Sequence, residues 1–203
     1  MREEELIEKI SLFKSAGLGL MSKAQYEEVG KLLLRLAPCN FLVFGLGDDS
    51  HLWQEINPEG KNVFLEDDSD WILKFKDSGL DIRKVNYKTE IKNVNEIAFN
   101  ENLLQLDLPK DIRETSWDLI LVDAPLGHGP PAPGSPWENT PGRPFKGPGR
   151  MSSIYESSRL IKKGGHVIVD DMGRHVEALY SLRYLGKENL KMLIEDKVGI
   201  FQV

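Results

Sequence analysis

The stretch NFLVFGLGDDSHLWQEINPEGKNVFLEDD, residues 40–68, decides how the rest of the chain is interpreted. It consists of a short apolar run, a glycine turn, a helix-compatible segment and a second apolar run, at residues 41–44, 45–47, 50–57 and 62–65. The second run ends in three acidic residues. Strand, glycine turn, helix and strand in this order predict the first half of a nucleotide-binding βαβ unit.

The glycine turn and the acidic strand end favour a cofactor without a pyrophosphate group. Glycines allow the backbone to approach a ligand closely, and a carboxylate about 20 residues later can bind a ribose diol. The turn lacks a third glycine, and Asp48 and Asp49 stand where a pyrophosphate needs bare backbone amides. S-adenosylmethionine carries a sulfonium and an ammonium, so it suits an acidic loop. A purely structural turn is the alternative. The candidate cofactor residues are Gly45, Gly47, Asp49, Ser50, Glu66 and Asp67.

Composition predicts one globular domain over residues 1–203, with 40% hydrophobic and 29% charged residues. The net charge of -6 argues against an extended nucleic-acid surface. Cys39 is the only cysteine, which excludes an internal disulfide. The N-terminal stretch has neither a signal-peptide core nor an apolar run of membrane length. We therefore expect no membrane segment and a soluble, cytoplasmic location, or the Golgi lumen for a chain trimmed of an anchor.

The remaining patterns predict a mostly parallel, doubly wound α/β sheet. Two helices precede residue 38, and the second opens with a capping box at Ser22. Another capping box, Ser153 with Glu156, predicts a helix that runs to Lys163. Further strands are predicted at 81–87, 117–122 and 166–169, helices at 70–78 (capped by Ser69) and up to about residue 185, and a closing antiparallel hairpin at 190–195 and 198–203.

Three predicted strands end in acidic residues, which parallel strands would bring to one edge of the sheet. These are Glu66, Asp123 and the pair Asp170-Asp171. Each could simply cap the helix that follows. Together they predict a cleft in which Asp123 acts as a general base, or joins Asp170 and Asp171 as ligands of Mg²⁺, Mn²⁺ or Co²⁺. His128 is a second candidate for the catalytic base.

Residues 125–149 contain eight prolines and six glycines. A broken segment of this length after a strand is either disordered or functional, so we interpret it as a lid on the substrate side. It carries Arg143 and Lys146, and Arg150 follows directly. These three cations are either a solvated surface or a clamp for a substrate carboxylate, which guanidinium matches in bidentate geometry.

Four blocks of this sequence resemble the glucuronoxylan 4-O-methyltransferase family. They are CNFLVFGLGDDSHLW, NVFLED, WDLILVDAPLG and PGRMSSIYES, at residues 39–53, 62–67, 117–127 and 148–157. The resemblance implies a Rossmann-like class I methyltransferase fold and the methylation of glucuronic acid side chains of xylan by S-adenosylmethionine. It also carries Arg150 over as a matched position. The Pro/Gly-rich segment is longer than in the family, and Asp170-Asp171 replaces a His-Asp pair.

The sequence therefore predicts an S-adenosylmethionine-dependent O-methyltransferase that acts on a sugar or polysaccharide bearing glucuronic acid. Two alternatives stay open. The aspartates at the strand ends suggest a cation-dependent small-molecule O-methyltransferase, and a non-catalytic polysaccharide-assembly factor could share the fold.

Overall fold

The structure is a computed structural model that describes residues 1–97, 100–127 and 147–203. Strands β1–β7 comprise Asn40–Phe44, Lys61–Glu66, Asp81–Lys84, Trp117–Val122, Ile161–Val169, Leu190–Ile194 and Val198–Gln202. Helices α1–α8 comprise Glu3–Ser15, Lys23–Leu36, Ser50–Ile56, Ser69–Lys74, Val94–Ile97, Lys110–Glu114, Met151–Leu160 and His175–Ser181. Short 3₁₀ turns occupy Ile91–Asn93, Glu101–Leu103 and Lys187–Asn189, and a π-helical turn occupies Leu182–Gly186.

The described strands form one seven-stranded sheet in the order β3-β2-β1-β4-β5-β7-β6. Strands β1 to β5 are parallel, while β7 runs antiparallel to both β5 and β6. The order reverses beside β1, because β2 lies on one side of it and β4 on the other. The predicted mostly parallel sheet with a C-terminal antiparallel hairpin is therefore confirmed, and ligands of such sheets bind at this point of reversal.

Alternate residues of the central strands build two hydrophobic layers. In β1, Leu42 and Phe44 pack in one layer together with residues of α7 and α8. Phe41 and Val43 pack in the other with residues of α1 and α2, among them Leu6 and Ile10. A strand that is buried on both faces has a continuous apolar run in its sequence. For this reason β1 and β4 could be located from sequence. The two N-terminal helices are thus one covering layer of the sheet.

Several element boundaries differ from the predictions, for local reasons. The capping box of α2 is confirmed, since Ser22 and Gln25 exchange hydrogen bonds of 3.2 and 2.9 Å. Asp68, rather than Ser69, caps α4 by accepting from the amide of Asp70. The predicted capping box of α7 is wrong, because Ser153 lies inside the helix and donates to the carbonyl of Ala124.

Strand β3 is shorter than predicted, and the five-residue α6 was not predicted. In the described parts of the chain, no helix combines the length and apolar character needed to span a membrane.

Candidate active site at the carboxyl edge of the sheet

The acidic strand ends meet at one edge of the sheet, as predicted. Phe44 at the end of β1 aligns with Leu65 of β2 and with Val122 of β4, and Val122 aligns with Val169 of β5. The residues that follow these positions therefore share the same edge. They are Gly45, Glu66, Asp123 and Asp170.

Gly45 turns the chain at the end of β1 in a backbone conformation that favours glycine. Its φ is +127°, and a Cβ there would lie 3.1 Å from the Cβ of Ala124. The Gly45 amide donates to the carbonyl of Leu65, and the Gly47 amide donates to the hydroxyl of Ser50. Ser50 thus fixes the turn where α3 begins.

Glu66 organises the glycine turn from the end of β2. Its buried carboxylate accepts from the backbone amides of Leu46, Asp67 and Asp68, each at 2.8 Å. Burial raises the pKa of Glu66, while the amides of Asp68 and Leu46 oppose that rise. A carboxylate has about four acceptor positions, so the three backbone bonds leave about one for a ligand. Asp67, the next residue, is partly exposed.

An open pocket of about 520 Å³ lies beside Asp67. Its wall consists of residues 86–90, which follow β3, and of Gly147 and Pro148, which precede α7. Two hydrogen bonds join the two segments of this wall. Thr89 donates to the carbonyl of Pro148, and the amide of Ile91 donates to the carbonyl of Gly147. The pocket therefore has a fixed, mostly polar wall next to the carboxylates at the end of β2.

Asp49 is a buried carboxylate at the glycine turn. Its Oδ2 accepts a hydrogen bond of 3.0 Å from the hydroxyl of Tyr26, which α2 contributes. Its Oδ1 lies 3.0 Å from the position that a Cβ on Gly47 would take. Burial raises the pKa of Asp49 to about 6; the Tyr26 hydrogen bond opposes the shift, and Asp48 and Asp170 add to it. Nothing in the sequence spacing of Tyr26 indicates a partner in another layer.

Arg150, at the start of α7, lies between the three aspartates of the edge. Its Nη2 is 3.0 Å from Oδ1 of Asp123 and 2.9 Å from Oδ2 of Asp171, and its Nη1 donates to the backbone carbonyl of Asp170 at 2.6 Å. Only 6% of the Arg150 side chain is exposed. Arg150 is therefore a buried counter-ion of the aspartates, with little surface left for the substrate carboxylate that we predicted it to bind.

The same arrangement differs from the predicted metal site. The guanidinium of Arg150 fills the space between Asp123, Asp170 and Asp171, so these carboxylates are arranged around an arginine and not around a metal ion. Among the residues that the structure describes, no set of three or more His, Cys, Asp or Glu side chains could hold a metal ion. The donor set seen here fits a guanidinium and not a divalent cation.

Asp123 and Asp170 differ in their affinity for protons. Burial raises the pKa of Asp123 well above its usual range; Arg150 opposes this rise, and the carboxylates of Asp170 and Asp49 add to it. For Asp170, burial also favours protonation, but Arg150 and Lys197 outweigh it and lower the pKa. About a third of the Asp123 side chain stays exposed, at 35%. The pair therefore combines an accessible carboxyl group of raised pKa with a buried ionised one.

Two further cations complete the edge, and neither was predicted. Arg174, which precedes α8, is 2.9 Å from Oδ2 of Asp171 and donates to the carbonyl of Gly127. Lys197, which precedes β7, is 3.4 Å from Oδ1 of Asp170. Both lie in loops that carry no recognisable motif. His128, Arg143 and Lys146, and most of the predicted lid, fall outside the described residues.

Comparison with known proteins identifies related sequences. The sequence model of the IRX15/IRX15L/GXM family matches residues 25–105. Three relatives from Arabidopsis thaliana are Arabinogalactan O-methyltransferase 2 (35% identical over 79% of this chain and 60% of the relative), Glucuronoxylan 4-O-methyltransferase 2 (35%, over 76% and 56%) and Protein IRREGULAR XYLEM 15 (33%, over 84% and 57%). The chain thus spans a little over half the length of the curated relatives it matches.

Solved structures confirm the fold. A Staphylococcus aureus protein provisionally assigned as a caffeoyl-CoA O-methyltransferase superposes with a TM-score of 0.51 at 12% identity, over 97% of this chain and 92% of its own. A 16S rRNA N2 G1207 methyltransferase from T. thermophilus gives a TM-score of 0.53 at 14% identity, over 91% and 44%. At these identities the likeness concerns the fold alone. The chain is therefore similar in sequence to the IRX15/IRX15L/GXM family and has a class I methyltransferase fold, as the sequence motifs predicted.

Proposed function

We propose that this chain transfers a methyl group from S-adenosylmethionine to a hydroxyl group of a sugar or polysaccharide that bears glucuronic acid. The observation that carries the proposal is the buried Asp49 carboxylate at the glycine turn. Its only hydrogen-bond donor among the described side chains is the neutral Tyr26, and the carboxylates of Asp48 and Asp170 raise its pKa further. A buried anion is costly unless it is paired, so this position favours a cationic ligand.

The residues of the edge fit S-adenosylmethionine part by part. The backbone of the glycine turn would lie against the cofactor, and Asp67, with the remaining acceptor position of Glu66, suits the two ribose hydroxyls. The pocket lined by residues 86–90 would take the base. Asp49 would face the ammonium or sulfonium end. When bound, the cofactor supplies an electrophilic methyl group on its positively charged sulfur.

The acceptor hydroxyl must lose a proton as its oxygen attacks. Asp123 is the best-placed acceptor of this proton, because its carboxyl group lies at the open edge and its pKa is raised. A base whose pKa approaches the working pH is effective in this role. Arg150 would then hold Asp123 in place and stabilise its ionised form through the 3.0 Å contact.

The acceptor class rests on the relatives, whose names include glucuronoxylan and arabinogalactan O-methyltransferases. The decisive experiment measures S-adenosylhomocysteine release with xylan oligosaccharides that carry glucuronic acid and with the same oligosaccharides lacking it. We expect release only with the acidic acceptor, and a methyl group on O4 of the uronic acid in the NMR spectrum of the product. Equal release with both acceptors would contradict the assignment to uronic acids.

A non-catalytic role in polysaccharide assembly is the second candidate, because one relative, Protein IRREGULAR XYLEM 15, has no enzymatic activity in its name. The same assay separates the two candidates. An assembly factor would bind glycan and release no S-adenosylhomocysteine with any acceptor.

The predicted requirement for Mg²⁺, Mn²⁺ or Co²⁺ is tested by exhaustive chelation. Given the guanidinium between the aspartates, we expect turnover to survive chelation at more than half its rate. Loss of activity that one of these ions restores would show that a cation binds elsewhere or displaces Arg150.

A further inference from the structure

The hairpin between β6 and β7 brings a cation to the carboxyl edge of the sheet. Because β7 is antiparallel to β5, with Gly199 paired to Val169, its first residues lie where the parallel strands end. Lys197 immediately precedes β7, and its ammonium is 3.4 Å from Asp170 and 3.8 Å from Asp171. This position was interpreted from sequence only as part of a turn.

The turn that presents Lys197 is strained and anchored. Glu195 and Asp196 have φ values of 51° and 53°, and with Asp171, at 62°, they are the non-glycine residues of positive φ in the described parts of the chain. Such conformations are unfavourable for residues other than glycine and persist where the surroundings hold them. Here the amide of Met172 donates to the Lys197 carbonyl, and the hydroxyl of Ser22 donates to the Glu195 carboxylate.

Lys197 differs from Arg150 in its capacity to bind a further anion. Arg150 makes short contacts to the aspartates and is buried, whereas the Lys197 side chain is 32% exposed and reaches its carboxylates only at salt-bridge distance. An ammonium has three donors. No described residue accepts a hydrogen bond from the Lys197 ammonium. The exposed side of this ammonium can therefore bind an anion from the cleft.

The charge balance of the edge permits an anionic ligand. Arg150, Arg174 and Lys197 face the carboxylates of Asp123, Asp170 and Asp171. Glu177, the remaining carboxylate near Arg174, is buried, and its burial raises its pKa. Near Lys197, the three cations therefore match Asp123, Asp170 and Asp171 in number.

We propose that Lys197 is the specificity-determining residue that binds the carboxylate of the acceptor sugar. The proposal rests on the proposed function, because it assigns the anion to the uronic acid of that acceptor. It gives Lys197 the role that the sequence had suggested for Arg150. The salt bridge would form on the exposed side of the ammonium, while Asp170 and Asp171 keep the lysine in position.

The test compares Lys197→Met, Lys197→Arg and the control Lys191→Met, which lies exposed on β6 of the same hairpin. Each variant is assayed with glucuronic-acid-bearing xylan oligosaccharide and with the glucose-bearing analogue. Loss of a charged hydrogen bond should lower kcat/KM for the acidic acceptor by about 10- to 100-fold in Lys197→Met. The same variant should change kcat/KM for the neutral analogue by less than about threefold, and Lys197→Arg and the control should stay near wild type.

The outcomes separate this inference from the function on which it rests. If the wild type prefers the acidic acceptor and Lys197→Met keeps that preference, or loses both activities equally, Lys197 is not the carboxylate-binding residue. If the wild type releases no S-adenosylhomocysteine with either acceptor, the proposed function fails and this inference fails with it. Calorimetric titration with S-adenosylmethionine should give the same affinity in all variants, which distinguishes a specificity role from a general loss of structure.

Discussion

The buried carboxylate of Asp49 lowers the stability of the ligand-free protein, while we propose that it favours the binding of a cationic ligand. Its folded pKa of about 6 exceeds the ordinary value of 3.8, so the folded state binds the proton more tightly than the unfolded state. The free energy of unfolding therefore falls as the pH rises from about 4 to about 6, and the cost is fully present above that range.

The variant Asp49→Asn removes this cost. We predict that it stabilises the ligand-free protein at pH 7.5 by about 1–3 kcal/mol, because a shift of one pKa unit corresponds to about 1.4 kcal/mol. The gain should shrink as the pH approaches 4.5, and the affinity for S-adenosylmethionine should drop. Urea unfolding at both pH values and calorimetry provide these measurements. A variant that is less stable at pH 7.5 and binds the cofactor normally would contradict the role given to Asp49.

We expect that replacement of Arg150 lowers the stability of the protein, and that this effect is larger than any direct effect on substrate binding. Arg150→Ala leaves the aspartates of the edge without their central counter-ion, which costs about 3–5 kcal/mol for a buried pair. Arg159→Ala is the matched control, since it removes an exposed arginine from the same helix and should cost less than about 1 kcal/mol. Denaturant unfolding of both variants checks this prediction. Normal stability of Arg150→Ala, with selective loss of activity on acidic acceptors, would restore the original clamp hypothesis.

At the scale of elements, α7 connects the site to the irregular segment before β4. Glu156 is fully buried on this helix; it accepts from the amide of Leu106 at 2.7 Å and lies 3.4 Å from Arg113. We predict that Glu156→Ala costs about 2–4 kcal/mol of unfolding free energy, because it leaves a buried amide without its acceptor. Glu156→Gln should cost less, since its carbonyl oxygen can still accept. Similar losses in both variants would show that the charge, and not the hydrogen bond, is important.

The elements also show what sequence could and could not predict. Strands β1 and β4 have continuous apolar runs and were located to within one residue. Helix α6 was missed because five residues are too few to show a helical period. The Ser153 capping box failed because its hydroxyl has a tertiary partner, the carbonyl of Ala124, which no local pattern reveals.

At the scale of the whole molecule, topology explains why the candidate site was predicted only in part. Parallel strands bring their carboxyl ends together, so the meeting of Glu66, Asp123 and Asp170 followed from sequence. The partners of Asp123 and Asp49 did not, because they come from distant parts of the chain. Arg150 is 27 positions from Asp123, and Tyr26 is 23 positions from Asp49. Spacing along the chain indicates which element a residue belongs to, but not which neighbour its side chain meets.

The central claim is that this fold binds S-adenosylmethionine at the carboxyl edge and delivers its methyl group to a uronic acid. The most direct measurement incubates the protein with S-adenosylmethionine carrying a labelled methyl group and with glucuronoxylan oligosaccharides, and follows the label by mass spectrometry. We predict that the label appears on the glucuronic acid residue, that the Asp123→Asn variant transfers it at least about 100-fold more slowly, as expected for loss of a general base, and that this variant still binds the cofactor. Label that stays on the cofactor in the presence of every acidic glycan, or that appears on neutral sugars at the same rate, would contradict the claim.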